Sequence, residues 1–175
     1  ECKGGLDVLV NNAATQILNP ISKLSFQDWN QTINVNLNAV FILIKALLEK
    51  IEKVKGCVIN VASIHAQLTK PNFSAYATSK AGLIGLTKSL SVELGTQIRV
   101  NAISPAAIST PMLEAGFSKD QKARGELDAH HPTKGIGTVD DIVAASLYLS
   151  KADTFINGAI INIDGGISSR LHDPI

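Results

Sequence analysis

The chain has 175 residues, 45% of them apolar, which is enough for one core and one domain. Sixteen basic side chains nearly cancel fifteen acidic ones, so a net charge of +1 argues against nucleic acid or an anionic membrane surface as a partner. Cys2 and Cys57 form no disulfide framework, no signal-like start is present, and the most apolar run (Val40 to Ile44) is far short of the about 20 residues of a membrane span, so the expectation is a cytoplasmic domain.

No repeat or low-complexity tract divides the chain, and apolar runs alternate with helical patterns. Asp7 to Val10, flanked by Gly4–Gly5 and Asn11–Asn12, reads as a strand buried on both faces. Apolar residues from Trp29 through Ile33, Leu37, Val40 and Ile44 to Ile51 recur every three or four positions, predicting a helix over 28–54. Ser25 is placed to cap it. Phe41 and Leu43 lie off that stripe and predict a second apolar face for a partner subunit. Cys57 to Ala62 reads as the second strand, 74–94 as the second helix and Ile98 to Ile103 as the third strand. A third helix opens at Thr138 with Asp141 completing a capping box, and Ala159 to Ile163 is the fourth strand. The pattern predicts an α/β fold: a doubly wound parallel sheet with helices on both faces and right-handed crossovers.

Ligands of such sheets bind beyond the carboxyl ends of the strands. Small or hydrogen-bonding residues follow three of the strands: Asn11–Asn12–Ala13–Ala14, then Ser63 to His65, then Ser104 to Thr110. Turn chemistry alone accounts for such residues. Tyr76 and Lys80, four apart at the start of the second helix, share a face and add a chemical reason. A free phenol has a pKa of about 10, and lowering it by about 3 units takes roughly 4 kcal/mol, which one ammonium at about 4 Å supplies at an effective dielectric near 20. A lysine against a tyrosine thus makes a general acid/base, and Ser63 could hydrogen-bond the oxygen whose charge changes.

These residues resemble the short-chain dehydrogenase/reductase family. The resemblance runs through Asn11–Asn12–Ala13–Ala14, Val35–Asn36–Leu37, Asn60–Val61–Ala62–Ser63, Tyr76–Ala77–Thr78–Ser79–Lys80, Arg99 to Pro105, Ile108–Ser109–Thr110 and Asp164–Gly165–Gly166. It covers nearly the whole chain, with Ser63 thirteen residues before Tyr76. It implies a Rossmann-like domain over 1–175 and hydride transfer between NAD or NADP and a secondary alcohol or ketone. Tyr76 would be the proton donor or acceptor, with Lys80 lowering its pKa and holding the nicotinamide ribose. Ser63 would orient the substrate oxygen, and Asn36 would anchor a water linking Lys80 to solvent. Asn11, Ala13 and Ala14 with Pro105, Ala106, Ile108 and Thr110 would line the cofactor, 111–137 would form a substrate lid, and a homotetramer is expected. Ala14 and Ala106 stand where the family usually has glycine, which requires that neither takes a positive φ.

The glycine-rich turn with which the family begins does not occur in these residues. The chain therefore reads as the carboxyl-terminal part of such an enzyme. The alternative is a catalytically silent fragment or an interaction module with an incomplete cofactor site. No metal site is expected: His130 and His131 read as lid-loop histidines, Cys57 as a buried inert thiol, and His65 as a loop histidine or a substrate contact.

Overall fold

The computed structural model describes residues 4–117, 120–151 and 154–171, so Cys2 lies outside the described residues. The element order is β1 (Val8–Asn11), α1 (Phe26–Ile33), a π-helical turn (Asn34–Asn38), α2 (Ala39–Glu52), β2 (Cys57–Val61), α3 (Ser74–Glu93), β3 (Arg99–Pro105), α4 (Pro111–Phe117), α5 (Gln121–His130), α6 (Val139–Ser150) and β4 (Ile160–Ile163). The four strands form one parallel sheet in the order β1-β2-β3-β4, with Val8 beside Cys57, Cys57 beside Arg99, and Ala102 beside Ile160.

Alternation along the strands sends Val58 and Val100 to one face, where Val40, Ile44 and Ile51 of α2 and Leu83 of α3 cover them. Cys57, Ile59 and Ile103 point the other way and meet Leu149 of α6. Helices therefore cover both faces, as the alternation of elements predicts. The crossover hands depart from expectation. The sheet order advances in one direction, yet α2 and α3 lie on one face and α6 on the other. The last crossover consequently has the opposite hand to the first two, and the three cannot all be right-handed.

β2 and β3 are buried on both faces; β1, whose apolar run reads as buried on both, stands at the edge of the described sheet with Val10 45% exposed. Apolar content alone does not distinguish an edge from a central strand. Val8, Val10, Ile59 and Val61 line a groove of about 510 Å³ with Val143 and Leu147 of α6.

Ser25 caps α1, its Oγ accepting from Asp28 N at 3.0 Å. The helix from Phe26 to Glu52 is not uniform: the π turn interrupts it at Asn34–Asn38. With 27 residues it is long and apolar enough, by length and composition alone, to cross a membrane, a test that core helices also pass. Here its inner stripe packs on the sheet and its outer side leaves Phe41, Ile42 and Leu43 exposed, as the two-faced pattern predicts. At α6 the capping box forms: Thr138 N donates to Asp141 Oδ2 at 2.7 Å, and Asp141 N donates to Thr138 Oγ1 at 3.3 Å.

Within the predicted lid, α4 and α5 are helices that the sequence did not indicate, and residues 118–119 lie outside the described residues. His130 ends α5 and His131 caps it rather than lying in a loop. His131 is buried, with Nδ1 2.9 Å from the Leu127 carbonyl. The lid's end rests on the turn after β4, where Gly165 has φ +57° and a Cβ would lie 2.5 Å from Thr133 Oγ1. Glycine is required there by both conformation and space.

Arg99 ties the second face together. Its guanidinium donates to the carbonyls of Leu149 at 2.9 Å and Lys151 at 2.7 Å, the C-terminal end of α6, where unpaired carbonyls and the helix dipole favour a cation. Arg99→Ala is expected to destabilise the fold by about 3 kcal/mol, read as a lower urea midpoint. An unchanged midpoint would show that the α6 end needs no such support.

Candidate active site

The carboxyl ends of β1, β2 and β3 lie side by side, since Asn11 pairs with Asn60 and Val61 with Ile103. Ser63 leaves β2 in extended conformation and caps the short 3₁₀ turn Ile64–Ala66. Its Oγ accepts from His65 N at 3.2 Å, so the hydroxyl proton remains available to a second acceptor. Tyr76 stands in the first turn of α3, packed edge-on against His65 and Phe73 with ring centroids 5.9 and 6.1 Å away. Burial raises its pKa above the ordinary phenol value, and a hydrogen bond with the Ser63 hydroxyl partly offsets this.

Lys80, one turn further along α3, is 2% exposed. Its Nζ donates to the Val61 carbonyl at 2.7 Å and lies 5.7 Å from the centre of the Tyr76 ring. Burial lowers its pKa to about 8. Burial dominates at Tyr76, and Lys80 is not among the groups that lower its pKa. Burial drives both groups towards neutrality, so the lysine loses its proton before the phenol can lose one. At neutral pH the site holds a protonated phenol beside an ammonium, which suits Tyr76 to giving a proton.

Asn36 reaches the site through the π turn and is 1% exposed. Its Oδ1 accepts from Thr15 N at 2.8 Å, and its Nδ2 donates to Thr15 O at 2.9 Å and to Ser79 Oγ at 3.0 Å. With both amide protons committed, its side chain cannot donate to the water expected there.

The turn after β1 is braced from beneath. Asn11 Nδ2 donates to Asn60 Oδ1 at 2.8 Å, and Asn60 Nδ2 donates to Thr87 Oγ1 of α3 at 2.9 Å. The Asn11 side chain thus points into the fold, leaving the exposed Ala13 and Ala14 to line the opening. After β3, Ala106 N donates to Ile163 O at 3.0 Å, Ile108 bridges to Gly137, and Thr110 Oγ1 accepts from Leu113 N at 3.2 Å. Neither Ala14 nor Ala106 has a positive φ, so alanine meets the requirement at both places.

A nicotinamide nucleotide fits the residues present at this end of the sheet. Lys80 spends one of three donors on Val61 and keeps two in a buried position suited to a ribose diol. Two methyl-only side chains leave the turn backbone open beside it. Thr15, Ser79 and Asn60 are the supporting residues that sequence reasoning missed. Ser79 and Asn60 both lie within the family's motifs, but their partners, Asn36 and Thr87, come from other segments of the chain and are visible only in the fold.

A family profile described as enoyl-(acyl carrier protein) reductase matches residues 1–168. The chain belongs to the short-chain dehydrogenase/reductase family. Among relatives in that family, the 3beta-hydroxysteroid dehydrogenase 1 of Eggerthella lenta is 36% identical over 169 residues, covering 94% of this chain. The chain spans 64% of that relative's length. The ligand-free aldohexose dehydrogenase of Thermoplasma acidophilum superposes with a TM-score of 0.93 at 31% identity, over 98% of this chain and 71% of that one. A gluconate 5-dehydrogenase of Burkholderia cenocepacia, in complex with NADP and tartrate, superposes at 0.90 with 29% identity, over 97% and 68% of the two chains.

Proposed function

We propose that this chain carries the proton-transfer end of an NAD(P)-dependent oxidoreductase acting on a secondary alcohol or ketone. The observation that carries the reading is the convergence of Ser63, Tyr76 and Lys80 at the adjoining ends of β2 and α3. A bound nicotinamide supplies or accepts the hydride at the carbonyl carbon. Ser63 donates its available proton to the substrate oxygen, and Tyr76 delivers the proton that turns the reduced oxygen into a hydroxyl. Lys80 holds the ribose and keeps positive charge near the phenol as it ionises. Helices α4 and α5 supply the lid, and His65, stacked on Phe73 at 4.3 Å, stands at the substrate side of Ser63.

The NADP-bound relative supports the choice of cofactor, and the residues described favour neither NAD nor NADP. The exposed Phe41, Ile42 and Leu43 on α2 support a homo-oligomer, a tetramer by the family resemblance, which light scattering tests. The decisive experiment is calorimetric titration of the full-length protein with NADH and NADPH, followed by turnover on a ketone panel. Micromolar binding and ketone-dependent cofactor oxidation are expected. Absence of both would leave the interaction-module reading.

A further inference from the structure

Ser79 sits on α3 between the two residues assigned to proton transfer, fully buried and unused by the chemistry above. Its hydroxyl donates to the Tyr76 carbonyl oxygen at 2.7 Å. A serine has one proton to give, so towards any further partner its oxygen can only accept. That partner is Asn36 Nδ2, at 3.0 Å. The same amide pairs reciprocally with the backbone of Thr15, in the turn that follows β1. Turning the amide over would set Oδ1 against the Ser79 oxygen and Nδ2 against the Thr15 N–H, leaving acceptor facing acceptor and donor facing donor. The two Thr15 backbone contacts and the Ser79 oxygen thus demand the same orientation of the Asn36 amide, and its second proton ties that clasp to α3.

We propose that Ser79 is a positioning residue that anchors the Asn36 amide on α3 and so locks the turn after β1 to the helix carrying Tyr76 and Lys80. One buried hydroxyl then links the turn assigned to the cofactor to the residues assigned to proton transfer. The catalytic consequence rests on the oxidoreductase reading; the coupling is a property of the fold. The π turn gives the reason for the arrangement: such turns re-aim side chains within a helix, and this one brings Asn36 between the two segments.

The test is Ser79→Ala in the full-length protein, read by residue-resolved amide exchange and by kinetics. The Thr15 amide, which donates to Asn36 Oδ1, should exchange about tenfold faster, while the Leu83 amide within α3 stays as protected as before. The KM for the nicotinamide cofactor should rise about tenfold with kcat changed less than threefold. Ser79→Cys, which keeps a weak acceptor, should fall between the two and serves if the alanine variant does not fold. Thr15 protection unchanged in a folded variant, or loss shared equally by Leu83, would overturn the proposal. Wild-type protein that turns over no ketone would instead count against the oxidoreductase reading, and exchange at Thr15 would still decide the coupling.

Discussion

Tyr76→Phe is expected to lower ketone reduction by about 10³-fold while the protein stays folded and binds its cofactor. Phenylalanine keeps the ring that packs against His65 and Phe73, so the ring contacts persist. What disappears is the proton held at the phenol oxygen beside Ser63. Burial keeps that oxygen protonated and ready for reduction, and because the substitution leaves the equilibrium constant unchanged, kcat/KM for alcohol oxidation falls by the same factor. Steady-state assays with matched circular dichroism and cofactor titration separate these effects. A variant keeping more than a tenth of wild-type turnover would remove Tyr76 from the chemistry.

Lys80→Met should abolish turnover and at the same time stabilise the fold. In the folded chain the Lys80 pKa falls to about 8, against about 10.4 for a free lysine, so keeping it charged at pH 7 costs about 3 kcal/mol. Methionine fills a similar volume without that cost and leaves only the Val61 carbonyl without its donor, a loss of about 1 kcal/mol. The net expectation is a gain of about 2 kcal/mol at pH 7. Because the folded pKa is depressed, the unfolded chain binds the extra proton between about pH 8 and 10.4, and wild-type stability rises across that window. The advantage of methionine should therefore shrink above pH 8 and be gone by about pH 10.4. Urea denaturation at pH 7 and pH 10 measures it; a destabilised Lys80→Met variant at pH 7 would show that the ammonium is not strained. Cofactor affinity should weaken as pH rises through about 8, where the folded protein loses the ammonium near the ribose position.

Much of this arrangement was legible in the residues. The caps at Ser25 and Thr138 depend on local side-chain chemistry, which a sequence displays directly. The faces of α2 and α3 follow from periodicity, and Ser63, Tyr76 and Lys80 meet because short spacings fix them at adjoining element ends. Features that depend on partners distant in the chain were not legible. The direction of the Tyr76 shift depends on how deeply both it and Lys80 are buried, which spacing does not state. Thr15 and Ser79 look like ordinary polar residues until Asn36 is seen between them.

The π turn at Asn34–Asn38 amounts to a single extra residue wound into an otherwise ordinary rod. Excising one residue there would restore uniform winding and turn everything upstream by about 100° relative to α2. Thr32, now sealed inside, would swing outward, and the amide that clasps Thr15 would leave its place. Geometry at the mouth of the cleft thus hangs on a miscount in the helical repeat, and a lineage that lost the supernumerary residue would have to rebuild the clasp from another direction.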